Sequence, residues 1–166
     1  MTIQEALKQT MEDYRALTGL RSYLITESGE IQSASERNYF CKCLKVSSQA
    51  LKKCEECTGE YFEAARGAQK ECIYSCHAGL IKWAVPVNDG EYHCVIISEG
   101  ILAKRQVEDA DQWADYLSKE YDLSKEMIKR NFEIVTTMNE EQMNASIKLL
   151  KDLIDYHLAI YHAQAK

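Results

Sequence analysis

The residues of this sequence that could do chemistry are mainly cysteine and histidine. Seven cysteines occur among the 166 residues. Cys54 and Cys57 form a C-x-x-C pair, and Cys76 directly precedes His77. Thiolates bind zinc and iron–sulfur clusters, thiols of low pKa are oxidised readily, and a thiol beside an imidazole can act as a nucleophile. The pattern therefore indicates a metal, redox or nucleophilic site within residues 39–100.

A metal site would use four of these cysteines. Cys41, Cys54, Cys57 and Cys76 could supply four thiolates to zinc or to an iron–sulfur cluster, or the same thiols could form a redox sensor. A single C-x-x-C is only half of a ribbon-type zinc signature, and small cysteines are often simply buried on a helix. The sequence leaves metal binding and plain burial open as alternatives.

The order of residues around Cys76 argues against a cysteine–histidine enzyme. On the predicted strand, Cys72, Tyr74 and Cys76 project from one face and His77 projects from the other. A cysteine nucleophile needs its histidine base within hydrogen-bond reach. We therefore predict no catalytic residues in this chain, and any enzymatic output, such as a histidine kinase, would lie outside it.

Aromatic residues are concentrated in the same segment, at Tyr39, Phe40, Tyr74, Trp83 and Tyr92. Pockets for small ligands are mostly apolar and aromatic with a few polar groups, which cysteine, Ser75 and His77 could provide. An ordinary core is the alternative, because every second residue from Ile81 to Val87 is apolar, as in any half-buried strand. The sequence is compatible with both a ligand pocket and a packed core.

The elements that must position these residues can be predicted from hydrophobic periodicity. A first helix should run from Ile3 to Leu17 and end at Gly19. Five strands are expected, at residues 21–26, around Ile31, and at residues 72–76, 80–87 and 91–99, with a hairpin turn at Asn88-Asp89-Gly90. Residues 36–66 should be mainly helical, followed by helices at 106–120, 124–137 and 139–163.

This order of elements predicts an α+β fold. The expected architecture is a PAS-like five-stranded antiparallel sheet with a helical insert and flanking N- and C-terminal helices. Neither a linker rich in glycine, serine or proline nor an internal repeat divides the sequence. We therefore predict one domain spanning residues 1–166.

The last predicted helix, residues 139–163, has a coiled-coil pattern. Apolar or aromatic residues and one histidine follow alternating steps of four and three, at Met143, Ile147, Leu150, Ile154, His157 and Tyr161. A second stripe contains Leu149, Leu153, Tyr156 and Ile160. The first stripe predicts a homodimer seam on a signalling helix. The alternative is that this helix simply closes the domain.

Charge and hydropathy limit the possible partners. The chain has 26 acidic and 20 basic residues and a net charge of −6, whereas nucleic-acid binding requires a clustered positive face. The first residues are polar and lack the apolar core of a signal peptide, and no segment has the roughly 18 apolar residues of a membrane span. We predict a cytoplasmic protein with no direct nucleic-acid or membrane partner.

A longer motif in the cysteine segment resembles the PocR-type sensory domain. The motif consists of Phe40-Cys41, then Cys54, then Tyr74-x-Cys76-His77-Ala78-Gly79-Leu80 and Ala84-Val85-Pro86-Val87. The resemblance extends from about residue 5 to residue 160. It implies a PAS-like ligand-binding domain, usually fused to AraC-type DNA-binding regions or histidine kinases, that senses small hydrocarbon derivatives such as short diols.

Five positions match the site implied by the resemblance, namely Cys41, Cys54, Cys76, His77 and Gly79. The sequence departs from the family where a glycine-rich strand is usual, because residues 95–100 retain only Gly100. It also has additional cysteines at Cys43, Cys72 and Cys94. These departures suggest a bulkier pocket floor and a different ligand.

Together these observations predict the sensory domain of a bacterial or archaeal regulator of signal transduction or transcription. It would bind a small organic effector and act on an output domain outside this chain. The predicted ligand-binding residues are Phe40, Cys41, Tyr74, Cys76, His77, Gly79 and Trp83. A zinc, iron–sulfur or thiol redox sensor built on the four cysteines above is the alternative.

Overall fold

The helices and strands follow the predicted order closely. A computed structural model describes residues 1–33 and 39–166. Its helices are α1 (Ile3–Thr18), α2 (Tyr39–Leu44), α3 (Ser48–Ala68), α4 (Ala110–Tyr121), α5 (Lys125–Phe132) and α6 (Glu140–Gln164), with a 3-10 helix at Lys104–Asp109. Its strands are β1 (Ser22–Thr26), β2 (Gly29–Ser33), β3 (Cys72–Ser75), β4 (Ile81–Asp89), β5 (Tyr92–Ser98), β6 (Leu102–Ala103) and β7 (Thr137–Met138).

Capping residues explain where several helices begin. Thr2 and Glu5 form a capping box at the start of α1, and Asn139 and Gln142 form one at the start of α6. Ser47 caps α3, accepting a hydrogen bond from the backbone of the first turn. These side chains satisfy N–H groups that have no partner within the helix. The cap at Ser47 divides the helical segment predicted at 36–66 into α2 and α3, while residues 36–38 lie outside the described residues.

The main sheet lies at the centre of the fold. Five strands form it in the order β2-β1-β5-β4-β3, and each neighbouring pair is antiparallel. The β4–β5 hairpin turns at Gly90, whose φ of +61° lies in the left-handed region that glycine tolerates. The predicted combination of helices with an antiparallel sheet is therefore confirmed. The comparison with the PAS fold stays a prediction.

The two faces of the sheet are covered by different helices. On one face, alternate residues of β4 such as Trp83 and Val85 pack with α1 and α6. On the other face, Ala84 and Ile97 pack with Phe62 of α3. Because side chains alternate along a strand, neighbouring residues of β4 belong to separate cores.

The predicted helix at 124–137 is too long. Helix α5 ends at Phe132, and Thr137–Met138 instead form a short strand parallel to Leu102–Ala103. Residues 134–137, which lead into this strand, are all β-branched, and β-branched side chains favour extended backbone. The segment predicted as helix from residue 106 likewise begins within the 3-10 turn, and α4 starts only at Ala110.

Helix α6 packs against α1 within the same chain. Ile147, Leu150 and Ile154 are buried in the core that both helices share. His157 is also buried, and its Nε2 lies 2.7 Å from Oδ2 of Asp13 on α1. Four of the six positions of the predicted dimer seam are thus buried within their own domain, and the homodimer stays a prediction. The alternative, a helix that closes the domain, describes what they do.

Candidate functional site

A cavity of about 420 Å³ lies between the sheet and helices α2 and α3. Its apolar lining includes Ile25, Phe40, Leu44, Leu51 and Leu80. Its polar lining includes Cys41, Cys54, Cys57, Cys76, His77 and Lys82. The helical insert thus forms one wall, and strands β1, β3 and β4 form the floor.

Most of the predicted ligand-binding residues line this cavity, but Trp83 does not. Five of them line it, namely Phe40, Cys41, Tyr74, Cys76 and His77. Trp83 is 0% exposed and packs with α1 and α6 on the opposite face of the sheet. The alternation of side chains along β4 places it there, so we leave Trp83 out of the proposed site.

Gly79 shapes the loop beside the cavity and does not line it. Its φ of +87° lies in the left-handed region, and a side chain there would begin 3.0 Å from the Trp113 ring. Its backbone N–H donates to the Cys76 carbonyl at 2.9 Å, and the Cys76 N–H donates to the Leu80 carbonyl at 2.8 Å. Glycine is therefore needed for a tight turn that presents Cys76 and His77 to the cavity.

His77 links two helices through hydrogen-bond contacts. Its Nε2 is 2.9 Å from Sγ of Cys54 on α3, and its Nδ1 is 2.8 Å from the hydroxyl oxygen of Tyr121 on α4. Burial lowers the pKa of His77, and the nearby charges of Lys53 and Lys82 lower it further. The imidazole is therefore neutral at neutral pH, with one nitrogen donating and the other accepting.

This arrangement differs from the geometry expected at Cys76. Strand β3 ends at Ser75, so strict alternation no longer applies to Cys76 and His77. The histidine contacts Cys54, which is 23 residues away in sequence, and no local pattern could have identified that pair. Burial raises the pKa of Tyr121 to about 12, so this tyrosine, which contacts the other nitrogen of His77, remains a phenol.

Lys82 is a cavity residue that sequence reasoning missed. Its ammonium donates a hydrogen bond to the Tyr23 hydroxyl and lies 4.8 Å from the centre of the Tyr23 ring. Burial by itself lowers the pKa of Lys82, but its interaction with Tyr23, which includes the hydrogen bond, raises it, and the net direction is upward. A lysine within an otherwise apolar strand was the signal available in the sequence.

Tyr74 lies opposite Lys82 in the pairing of β3 with β4. Its ring stacks on Tyr61 with 3.7 Å between the ring centres. Its hydroxyl is buried and has no hydrogen-bond partner among the described residues. Burial raises the pKa of Tyr74 well above its usual value, so the group stays neutral. Leaving such a hydroxyl unpaired costs about 1–3 kcal/mol.

Comparison with known protein families identifies the fold family. A family model described as a sensory domain found in PocR matches residues 3–161. The chain belongs to the PocR sensory-domain family. The resemblance found in the cysteine segment is thereby confirmed over nearly the whole chain, and a sensory role follows from it. No curated protein and no solved structure matches the chain.

The cysteines of this PocR domain do not form an evident metal centre. Cys41, Cys54, Cys57 and Cys76 all line the cavity. Within residues 1–33 and 39–166, however, no three histidine, cysteine or acidic side chains are grouped so that they could hold a metal ion. Burial raises the pKa of Cys57, with Cys76 adding to the effect, which favours the thiol over the thiolate that metals require. The geometry therefore gives no support to the zinc or iron–sulfur alternative.

The remaining cysteines lie elsewhere in the PocR domain. Cys43 and Cys94 are buried, and burial raises the pKa of both thiols, that of Cys94 to about 12. Cys72 is partly exposed on β3.

In the part of the chain that the structure describes, no helix is both long and apolar enough to cross a membrane.

Proposed function

We propose that this PocR sensory domain binds a small organic effector in the cavity between the sheet and helices α2 and α3. The observation that carries the proposal is the cavity itself, with its volume of about 420 Å³ and its apolar lining interrupted by a few polar groups. Pockets for small ligands have roughly this size, about 300–1,000 Å³, and this composition. The proposed contacts are Phe40, Cys41, Tyr74, Cys76 and His77.

The domain would serve as the input of a bacterial or archaeal regulator of signal transduction or transcription, with the output domain outside this chain. Strand β4 offers a physical connection, because Lys82 lines the cavity while Trp83 packs towards α1 and α6 on the other face. An effector shifts such a pair of helices only if it binds one of their arrangements more tightly than the other. We propose that α6 transmits the change in helix arrangement to the output domain.

A substitution that fills the cavity tests the proposal. Gly59 on α3 lines the cavity, and a Cβ built there meets no atom within 4 Å. Gly59→Trp should place an indole in the cavity and abolish effector binding while the domain stays folded. Gly67→Trp is the matched control, since Gly67 is a glycine of the same helix, is also unobstructed and does not line the cavity.

The measurement is a thermal-shift screen of small alcohols, diols, acids and amides, followed by calorimetry of the compounds that bind. We expect the compounds that stabilise the wild type and Gly67→Trp to have no effect on Gly59→Trp. Binding that survives in Gly59→Trp would place the effector elsewhere. Metal content after anaerobic purification tests the alternative, because stoichiometric zinc or iron lost in both Cys54→Ser and Cys76→Ser would favour a metal-centred sensor.

A further inference from the structure

Lys82 places a positive charge on the floor of the cavity. It lies on β4, lines the cavity and is only partly exposed. Its hydrogen-bond partner is the hydroxyl of Tyr23. Among the residues that the structure describes, no carboxylate forms an ion pair with it or ranks among the main influences on its charge. Within residues 1–33 and 39–166, no carboxylate is thus seen to pair with the cation on the floor of the cavity.

A ligand that carries a negative charge would be a suitable partner for an ammonium in such a place. A buried charge is costly unless it is paired and hydrogen-bonded. The ammonium has three N–H donors, of which Tyr23 accepts one. Next to it, the Tyr74 residue is only 6% exposed, and its hydroxyl has no hydrogen-bond partner among the described residues. The described part of the chain therefore leaves two polar groups on the floor incompletely satisfied.

The acidic residues of the cavity are placed differently from Lys82. The Glu99 carboxylate accepts a hydrogen bond of 2.8 Å from the backbone N–H of Arg21 at the end of the neighbouring strand. Glu55 is exposed on α3. The floor is consequently positive, and the side chains that face it from α2 and α3 include the apolar Phe40 and Leu51.

We propose that the effector is a small carboxylic acid bound as its carboxylate. The carboxylate would accept hydrogen bonds from Lys82 and lie beside the Tyr74 hydroxyl, and the hydrocarbon part would contact Phe40, Leu44 and Leu51. This inference rests on the proposed effector cavity and specifies the chemical class of its ligand. Charge-assisted hydrogen bonds are stronger than neutral ones, so an acid should be preferred over a neutral molecule of the same shape.

Matched ligand series test the inference directly. Straight-chain carboxylic acids of increasing length are titrated calorimetrically at neutral pH, beside the primary amides and primary alcohols with the same carbon skeletons. We expect the wild type to bind the best acid at least ~10-fold more tightly than its amide or alcohol, since charged hydrogen bonds exceed neutral ones. This comparison needs no variant, so it does not depend on the folding of a mutant.

Variants then identify the group that recognises the acid. Lys82→Met should weaken acid binding at least ~10-fold while changing amide binding little, because the ammonium is removed and the length of the side chain is kept. Tyr74→Phe should weaken acid binding to a smaller extent. Lys119→Met is the charge-matched control, since Lys119 is exposed on α4, pairs with Asp115 and does not line the cavity.

The failure of this inference can be distinguished from failure of the effector cavity. If amides or alcohols bind as tightly as acids, or if Lys82→Met binds acids like the wild type, the acid assignment is overturned and the cavity remains an effector site. If none of the three series binds, the acid assignment also fails. The cavity proposal fails with it only if the broader screen finds no compound whose binding Gly59→Trp abolishes.

Discussion

His77 connects the helical insert to the C-terminal half of the chain through two side-chain contacts. One contact is with the Cys54 thiol on α3 and the other is with the Tyr121 phenol on α4. All three groups are uncharged when the imidazole is neutral, and the lowered pKa of His77 favours that state. Lys53 and Lys82 are the charges that oppose its protonation. The folded state therefore disfavours protonation of His77.

We expect the stability of the domain to decrease as the pH falls below the ordinary histidine pKa of 6.5. The folded-state pKa of His77 is lower than that value, so the unfolded chain takes up the proton first and unfolding is favoured. The contribution is fully present above pH 6.5 and is lost towards the lower pKa of the folded state. The measurement is urea unfolding of the wild type and His77→Gln between about pH 8 and pH 5.

The variant should lose less stability than the wild type over this range. His93→Gln is the control, because His93 is exposed on β5 and contacts only Asn88 among the described hydrogen bonds. Identical pH profiles for the wild type and His77→Gln would show that the histidine does not titrate in this way.

At the scale of elements, the loop between β3 and β4 is held against the segment that follows β5. Cys76 and Leu80 close the loop through a backbone hydrogen bond of 2.8 Å, and Ile81 pairs with Ile101. A Cβ at Gly100 would lie 2.6 Å from both Cβ and Cδ1 of Leu80. The absence of a side chain at Gly100 is thus what allows the two segments to approach each other beside the cavity.

Gly100→Ala should destabilise the domain by about 1–3 kcal/mol, because overpacking displaces Leu80 and the loop attached to it. Gly59→Ala is the control, since its Cβ meets no atom within 4 Å and alanine favours a helix by about 0.5–1 kcal/mol. Denaturant unfolding of the three proteins measures both effects. A Gly100→Ala variant as stable as the wild type would mean that Leu80 can move without cost.

At the scale of the whole molecule, the sheet separates the cavity from the core formed with α1 and α6. The stripe of α6 that has coiled-coil spacing is used inside the domain, through buried residues such as Ile154 and Leu150. A homodimer would therefore require another face of the helix. Tyr156 belongs to the second stripe and is 59% exposed. Leu149 and Leu153 of this stripe also pack against the core, so we propose that the exposed face of α6 around Tyr156 forms the homodimer contact.

Sedimentation velocity over a concentration series tests this arrangement. We expect the wild type to dimerise and Tyr156→Lys to dissociate at least ~10-fold more readily, since buried aromatic residues dominate many interfaces. Ile134→Lys is the control, because Ile134 is exposed to a nearly equal extent, 58%, but lies after α5. A monomeric wild type, or equal dissociation of both variants, would contradict the dimer.

The sequence alone determined the order of elements, the family and much of the cavity lining. Periodicity and capping residues act locally, which is why α1 and the β4–β5 hairpin could be predicted. The family motif likewise placed Phe40, Cys41 and Cys76 in one site, and all three line the cavity. The length of α5 was predicted less accurately, because the segment after it pairs with a strand that is distant in sequence.

Only the tertiary structure decided which face of the sheet each residue serves. Lys82 and Trp83 are neighbours in sequence, but one lines the cavity and the other packs in the opposite core. The alternation of side chains along a strand means that the two residues face opposite sides of the sheet. The packing of helices on each side determines which of these sides contains the cavity. The contact of His77 with Cys54 and the burial of the α6 stripe depend on the same packing, which brings together residues far apart in the chain.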